Sequence, residues 1–422
     1  MLTHEENDTL TKVGPDSPMG QLMRRYWVPA LLSDELEADG APVRVKLLGE
    51  KLVAFRATNG RVGLLSEFCA HRSSSLWLGR NEENGLRCVF HGWKYDVQGQ
   101  CVDMMNEPEE FDFKAKIKAV SYPVLELAGL VWAYMGPRDR QPPPPKFDWT
   151  QAPADQRHVN KTWQECNWLQ GLEGGLDTSH APIMHRQIAA STDLPGVKQG
   201  MTFLKGKAPK LEVDETDYGY AYYGIRELEE GTQHVRGYHF VMPFTQVRQD
   251  PFTTGDVVAG HMWVPMDDDN CMVYNWEYSP TGVGMEDQAL VAKILGTGPG
   301  EMMPNARKVR NKDNDYLIDR EAQKSETFTG IFGINTQDHA VQESMGPIAD
   351  RSIEHLGPAD RAIIVMRKIL LQGVKVAQDG GDPAGTGTSY YNVIAADTVL
   401  PAAANYRQEL RSRMYSKAST TL

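Results

Sequence analysis

The spacing of apolar and polar positions divides the chain into two regions of different secondary structure. Residues 41–136 hold short alternating runs separated by turn residues, including an Asn59-Gly60 pair, and this pattern is typical of β-hairpins. Beyond residue 147, alternating runs over 201–278 predict a broad antiparallel sheet, with segments of helical spacing before and after it. Runs of strands followed by runs of helices favour an α+β fold over repeated βαβ units.

We therefore predict an α+β protein in which a small all-β domain is joined to a larger domain of antiparallel sheet covered by helices. The predicted segments are an N-terminal helical segment at 1–26 that packs on the larger domain, the small domain at 27–140 and the larger domain at 147–422. The proline run within 141–145 predicts a stiff linker. The predicted helices of the larger domain lie within 163–187, 286–296, 338–345 and 360–378. We expect Gly174 and Gly175 to loosen the first of them.

Composition and charge narrow the classes of partner. Of the 422 residues, 41% are hydrophobic and 24% charged, which is ordinary for a folded protein. A net charge of −12 argues against nucleic acid or an anionic membrane as partner. The N-terminus does not resemble a signal peptide, and the longest apolar passage, 122–135, is too short to span a bilayer. Five scattered cysteines make no disulfide scaffold, so we expect a cytoplasmic protein with reduced or metal-bound thiols.

Two short motifs in the small domain combine a thiol with an imidazole. Cys69-Ala-His71 and Cys88-Val-Phe-His91 each place one cysteine and one histidine in a tight loop. These four residues could hold a structural zinc ion, although zinc fingers usually place Cys near Cys and His near His. One of each per loop fits a Rieske [2Fe–2S] cluster, in which the cysteines hold one iron and the histidines the other. We therefore predict a one-electron Rieske centre, with zinc as the alternative.

A second group of metal-ligand residue types lies at the end of the first predicted helix of the larger domain. Two neutral imidazoles and one carboxylate form the facial triad of non-haem Fe(II) oxygenases, and His180 and His185 could supply the imidazoles. Such an iron would also give the electron of the Rieske centre a destination. Asp338 is the best candidate for the carboxylate, since Asn335 or Thr336 could cap the helix in its place. The weaker candidates are Glu343, Asp350 and Asp360.

These motifs together resemble the α-subunits of Rieske non-haem iron aromatic-ring-hydroxylating oxygenases. More narrowly, the chain resembles the phthalate 4,5-dioxygenase group, whose oxygenases lack a β-subunit. The resemblance extends over nearly the whole chain. It is carried by the two Cys-His pairs, the Asp177-x-x-His180-x₄-His185 motif and the Gln337-Asp338 pair.

The resemblance implies that the two Cys-His pairs hold the [2Fe–2S] cluster and that His180, His185 and Asp338 bind a mononuclear Fe(II). It also implies that Asp177 hydrogen-bonds to His180 and to the cluster ligand His91 of a neighbouring subunit. In this family the cluster and iron of one chain are too far apart for fast electron transfer, so the active unit would be a homotrimer or a stacked hexamer. The sequence has no convincing dinucleotide-binding motif. Electrons from NAD(P)H would therefore arrive through a separate flavin and iron–sulfur reductase.

Members of this group often take aromatic carboxylates, and an arginine fork is the preferred partner of a buried carboxylate. Candidate cations on the predicted sheet are Lys207, Arg226, Arg236 and Arg248. By their position in the group's pattern we prefer Lys207 and Arg236, with Ser179 as a further hydroxyl contact. Phthalate dioxygenases would be expected to carry Arg where this chain has Lys207. Strand alternation also puts Arg236 and Tyr238 on one face.

We predict that the protein is the terminal oxygenase component of a Rieske system. It would use O₂ to cis-dihydroxylate an aromatic carboxylate that resembles phthalate, isophthalate or benzoate. O-demethylation of a methoxylated aromatic acid is the enzymatic alternative, because the same iron site can oxygenate a methoxy carbon. A Rieske electron carrier is the non-enzymatic alternative.

Overall fold

A computed structural model of the chain describes residues 1–186, 208–228, 231–250, 257–283, 285 and 288–416. Its backbone divides into a smaller unit, Val13–Pro144, and a larger unit made of Met1–Lys12 and Pro145–Leu422. The predicted N-terminal segment 1–26 is shared between them, because residues 13–26 group with the smaller unit. Among the described residues, no helix is long and apolar enough to cross a membrane.

The smaller unit contains three antiparallel sheets of short strands, as the hairpin pattern predicts. The strands are β1 (Trp27–Leu32), β2 (Val43–Leu47), β3 (Glu50–Arg56), β4 (Val62–Ser66), β5 (Arg80–Glu82), β6 (Gly85–Arg87), β7 (Trp93–Tyr95), β8 (Cys101–Met104), β9 (Val124–Leu127) and β10 (Leu130–Tyr134). They form sheets in the orders β1-β10-β9, β2-β3-β4 and β5-β6-β7-β8. The predicted turn at Asn59-Gly60 joins β3 to β4, and Gly60 has the positive φ of 83° that glycine adopts without strain.

The N-terminal residues form two helices where the sequence suggests a single helix that ends before Trp27. Helix α1 (His4–Thr11) belongs to the larger unit, and α2 (Pro18–Met23) belongs to the smaller one. Thr3 caps α1 through a capping box, and Ser17 caps α2, whose first residue is a proline. The chain cannot stay helical between them, because Gly14-Pro15 disfavours helix and removes a backbone donor.

The larger unit is organised around one eight-stranded sheet in which every neighbouring pair is antiparallel. Its strands are β11 (Arg157–Gln164), β12 (Lys210–Thr216), β13 (Gly219–Glu227), β14 (Thr232–Val241), β15 (Thr245–Gln249), β16 (Val258–Pro265), β17 (Cys271–Tyr278) and β18 (Ala396–Pro401). The order is β11-β17-β16-β15-β14-β13-β12, and β18 pairs with part of β14. The sheet that the alternating runs predict is therefore confirmed.

Helices accompany this sheet, which confirms the α+β class. They are α3 (Asp148–Gln151), α4 (Trp168–Leu176), α5 (Ala181–Met184), α6 (Gln288–Leu295), α7 (Arg320–Ser325), α8 (Ile334–Glu343), α9 (Arg361–Gln378) and α10 (Tyr406–Arg411). The predicted helix within 163–187 is shorter than expected, because Trp163 and Gln164 complete strand β11. Helix α4 begins only after Asn167, whose side chain accepts a hydrogen bond from the Leu169 amide.

Gly174 and Gly175 allow close packing around α4 and do not interrupt it. A Cβ atom on Gly174 would lie 2.0 Å from the Gln342 side chain on α8. A Cβ atom on Gly175 would lie 2.0 Å from the Trp263 ring on β16. The glycines therefore let α4 approach both α8 and the sheet, and this approach brings together the elements that carry the candidate site.

Candidate metal centres

The two Cys-His loops of the smaller unit have the same backbone hydrogen bonds. In each loop, the cysteine carbonyl accepts a hydrogen bond from the amide four residues later in the chain. The cysteine amide donates to the carbonyl five residues later. All of these hydrogen bonds are 2.8–3.0 Å long. The turns end in left-handed residues, Ser73 (φ 58°) and Gly92 (φ 76°). A Cβ atom on Gly92 would lie 2.6 Å from Met105. Both loops are thus fixed by the backbone before any metal binds.

The side chains of the two loops fit a [2Fe–2S] cluster. The His71 and His91 rings meet edge to face with centroids 4.5 Å apart, and His71 stacks on Trp93 at 4.4 Å. The Nδ1 atom of His71 is buried and has no hydrogen-bond partner, as a ligand atom without its metal would be. Cys69 Sγ lies 3.2 Å from the Tyr95 hydroxyl, and burial raises the pKa of the Cys69 thiol.

Three candidate ligands of a mononuclear iron converge in the larger unit. Asp338 Oδ1 lies 3.4 Å from His180 Nε2 and 3.4 Å from His185 Nε2. That oxygen is buried and has no hydrogen-bond partner. Two imidazole nitrogens around an unpartnered carboxylate oxygen fit the donor set of a two-histidine, one-carboxylate Fe(II) site.

Asp338 reaches the histidines from the interior of α8. The helix begins at Ile334 after Gly333, and no side chain caps it, so neither Asn335 nor Thr336 has the capping role that we expected. The weaker carboxylate candidates are used elsewhere: Glu343 accepts from the Glu165 amide, Asp350 from Ser352 and Asp360 from the Gly357 amide.

Hydrogen bonds on the other side of each imidazole fix the orientation of both histidines. His185 Nδ1 lies 2.8 Å from Gln337 Oε1, and Gln337 Nε2 donates to Ile331 O at 2.9 Å. His180 Nδ1 lies 3.3 Å from Asp177 Oδ2. In both cases the partner leaves Nε2 directed at Asp338, which is the arrangement expected around a ligating histidine. The sequence did not reveal the role of Gln337, although the residue stands beside Asp338.

The electrostatics of this site favour binding of a cation. Burial alone would raise the pKa of Asp338, but His185 and His180 hold it well below its usual range. Burial alone would lower the pKa of His180, but the neighbouring carboxylates of Asp177 and Asp338 raise it to about 10.

A cavity of about 850 Å³, measured out to its mouth, opens beside the three candidate iron ligands. Helices α4 and α8 contribute one side of its lining, and strands β14 to β17 contribute the other. Arg236 and Tyr238 both line it, in agreement with the predicted strand alternation.

The structure separates the four candidate cations. Arg236 and Arg248 line the cavity. Arg226 is buried outside the described lining, and its guanidinium donates to Thr178 O at 2.9 Å. Lys207 lies outside the described residues.

Ser179 is engaged with Asp177 and is absent from the described lining of the cavity. Its amide and its hydroxyl both donate to Asp177 Oδ1, each at 2.6 Å. This turn leaves Asp177 Oδ2 for His180, so in this structure Ser179 positions the carboxylate beside the iron site.

Comparison with known proteins identifies the family. Residues 26–121 match the Rieske [2Fe-2S] domain, and residues 133–422 match the domain family described as LigXa C-terminal domain like. The chain is 40% identical to the phthalate 4,5-dioxygenase oxygenase subunit of Pseudomonas putida, over 92% of this chain and 89% of that protein. It is 38% identical to the 3-chlorobenzoate-3,4-dioxygenase oxygenase subunit of Comamonas testosteroni, over 90% of each chain.

Solved structures show the same fold. Pseudomonas putida CBB5 NdmA superimposes with a TM-score of 0.59 at 20% identity, over 88% of this chain and 96% of that chain. The chain therefore belongs to the Rieske non-haem iron oxygenases, enzymes that use a [2Fe–2S] cluster and a mononuclear iron. It is similar to the oxygenase subunits of multicomponent systems, in which a reductase supplies the electrons.

Proposed function

We propose that this oxygenase cis-dihydroxylates the ring of an aromatic carboxylate, such as a phthalate, isophthalate or benzoate derivative. The observation that carries the proposal is the cavity, which combines the candidate iron ligands with Arg236 and Arg248. A buried guanidinium binds carboxylates through paired, charge-assisted hydrogen bonds. The names of the two relatives at 38% and 40% identity, which specify 3-chlorobenzoate and phthalate, support the same substrate class.

In this proposal, His180, His185 and Asp338 hold Fe(II), which when bound supplies the site of O₂ activation. The cysteines Cys69 and Cys88 hold one iron of the cluster, and the histidines of the same loops hold the other. Gln337 and Asp177 keep Nε2 of both iron-binding histidines free for the metal, through the contacts described above. Tyr238 and Trp263 add aromatic walls to the cavity.

We further propose that the active unit is a homotrimer or a stacked hexamer. Asp177 would accept a hydrogen bond from His91 of a neighbouring subunit as well as from its own His180, and so connect the two metal centres. A carboxylate that contacts ligands of both centres couples their redox states through the histidine protons. The roles of Ser179, Lys207 and Arg236 in substrate binding stay predictions, as does the cytoplasmic location.

O-demethylation is the second candidate. The chain is 31% identical to the 5,5'-dehydrodivanillate O-demethylase oxygenase subunit of Sphingobium sp., over 91% of this chain. Aromatic carboxylates with a methoxy group would fit the same cationic cavity. The two reactions leave different products, a cis-dihydrodiol in one case and formaldehyde with a phenol in the other.

A single-turnover experiment tests the proposal. The protein, loaded with Fe(II) and reduced without air, is mixed with O₂ and one acid at a time, and the products are identified by mass. The panel contains phthalate, isophthalate, terephthalate, chlorobenzoates and methoxybenzoates. A cis-dihydrodiol supports ring dihydroxylation, and formaldehyde moves the protein to the demethylases. If no acid gives a product or changes cluster oxidation, the proposed substrate class is wrong.

Two variants test the residue roles in the same assay. Asp338→Ala should lose mononuclear iron while the visible spectrum of the cluster stays intact, because the carboxylate belongs only to the iron site. Asp177→Asn should keep both metals and lose most turnover, because ligation survives and coupling fails. Normal rates in Asp177→Asn would refute the connecting role. Wild-type turnover that depends on Asp338 would also exclude a simple electron carrier.

A further inference from the structure

A row of polar side chains crosses the sheet wall of the cavity, one from each of four adjacent strands. Strand register pairs Gln246 on β15 with His261 on β16, His261 with Asn275 on β17, and Asn275 with Asn160 on β11. Directly paired residues of an antiparallel sheet share a face. Arg248, two residues after Gln246 on β15, lies on that face as well.

The hydrogen bonds along this row define the tautomer of His261. Asn275 Nδ2 donates to Asn160 Oδ1 at 2.8 Å, which leaves Asn275 Oδ1 as the acceptor for His261 Nδ1 at 2.7 Å. His261 Nε2 then carries a lone pair, and Arg248 Nε and Nη2 each lie 3.4 Å from it. Burial and the nearby Arg248 lower the pKa of His261 to about 3, so the imidazole next to this arginine is neutral.

The two arginines of the cavity differ in how far protein groups already compensate their charge. Arg236 Nε lies 2.9 Å from Asp397 Oδ2, and its Nη2 donates to Gln249 O at 2.7 Å. Within the described ranges, the nearest carboxylate oxygen to Arg248 is Asp250 Oδ1, at 3.8 Å from Nη1 and too far for a hydrogen bond. A neutral imidazole holds the other edge of the guanidinium. Arg248 is therefore the cavity cation with more capacity for an external anion.

We propose that Arg248 binds the carboxylate of the substrate and that His261 is its positioning residue, oriented by Asn275 and Asn160. This inference rests on the proposed function, since it requires an acidic aromatic substrate. It places the anion-binding group on β15, whereas the candidate iron ligands belong to α8 and to the two ends of α5. The ring of the substrate then lies between a fixed cation and the metal.

The test compares kcat/KM for each acid with kcat/KM for the compound in which every carboxylate is a primary amide. That compound has nearly the same shape without the charge. Phthalate, isophthalate, terephthalate and 3-chlorobenzoate are used with the fully loaded enzyme and its reductase or a chemical reductant. In Arg248→Gln, kcat/KM for the acid should fall about tenfold more than kcat/KM for the amide, mainly through KM. Arg248→Lys should recover part of the preference for the acid, because it keeps the charge but loses the fork.

His261 is tested with a matched pair of variants. His261→Leu removes the acceptor for Arg248 and should raise KM for the acid with little change in kcat. His261→Gln can offer an amide oxygen to the same guanidinium and should restore a lower KM. Mononuclear iron content and the visible spectrum of the cluster are measured in every variant, so that a misfolded variant is recognised.

The outcomes separate this inference from the proposed function. If the wild-type enzyme prefers no acid over its amide, the proposed substrate class is wrong, and the role of Arg248 falls with it. If the wild type prefers the acid and correctly loaded Arg248→Gln keeps the full preference, another residue binds the carboxylate and only the role of Arg248 is refuted. If both His261 variants change KM for the acid and KM for the amide equally, His261 has a structural role only.

Discussion

Glu173 is the carboxylate whose loss should destabilise the larger unit most clearly. It lies on α4, one turn before Asp177, and is buried against two arginines. Arg351 contacts both of its oxygens, at 2.8–3.1 Å, and Arg367 Nε donates to Oε1 at 2.7 Å. Arg351 has no exposed surface. Glu173→Gln keeps the size of the side chain but removes the charge that compensates these guanidinium groups.

The contacts that remain after the substitution limit how much stability it can remove. Breaking a buried ion pair from one side usually costs about 3–5 kcal/mol. Arg367 keeps Glu354, at 2.6 and 3.1 Å, and Arg351 keeps Asn7 Oδ1 at 3.1 Å. We therefore expect Glu173→Gln to lower the free energy of unfolding by about 3 kcal/mol, the lower end of that range. For a unit of this size that corresponds to a fall in Tm of about 5 °C.

Calorimetry of the metal-loaded protein measures this change, with Glu215→Gln as the matched control. Glu215 makes an exposed ion pair with Lys368 at 3.3 Å, and such pairs contribute about 0–1 kcal/mol. Burial alone would raise the pKa of Glu173, but Arg351 and Arg367 lower it below the ordinary value. The stability from its charge is therefore present above pH ~4.3 and lost as pH falls further. A Glu173→Gln protein within about 1 kcal/mol of wild type at pH 7 would refute the reasoning.

Three further substitutions test separate parts of the structure. Gln337→Leu removes the partner of His185 Nδ1 and should weaken mononuclear iron binding about 10–100-fold, with cluster absorbance unchanged; unaltered iron content at limiting Fe(II) would contradict it. Lys308→Met should stabilise the protein by about 2 kcal/mol at pH 7, since burial lowers the pKa of Lys308 to about 8. The gain should vanish by pH ~10, where the unfolded-state lysine also loses its proton, and a pH-independent difference in urea unfolding would argue against this cause. Tyr95→Phe removes the hydroxyl beside Cys69 Sγ and should lower the reduction potential of the cluster, as measured by spectroelectrochemistry. An unchanged potential would show that this contact does not tune the cluster.

Local sequence patterns predicted the secondary structure of both units and the ligand types of both centres. Alternation of apolar and polar positions identified the strands of the large sheet, because each strand buries one face against neighbouring elements. Short spacing identified the Cys-His loops, because both ligands of a pair belong to the same turn. The candidate triad required more, because Asp338 on α8 stands far in the chain from His180 and His185, and only the folding of the larger unit brings the three together.

The features that the sequence could not predict depend on which side chains meet across neighbouring strands and on which partner each hydroxyl binds. Ser179 stays a predicted hydroxyl contact to the substrate, but its hydrogen bond to Asp177 could not be foreseen from the sequence. His261 and Asn275 have no spacing signal at all, because they become neighbours only through the register of β16 and β17. Gly174 and Gly175 were expected to loosen a helix and instead permit its closest contacts. In each case the deciding partner comes from a distant part of the chain.

The proposed roles divide the tasks of the cavity between its helices and its sheet, and such a division would let one iron site serve different substrates. The candidate iron ligands stand on α8 and at the two ends of α5, and α8 packs closely on α4 where Gly174 meets Gln342. A change there would alter the geometry of the metal site. Arg248 and His261 stand on strands whose backbone pairing does not depend on the identity of the side chains that face the cavity. Substitutions at the sheet wall can therefore change which ring is held over the metal while the helical wall keeps the same chemistry.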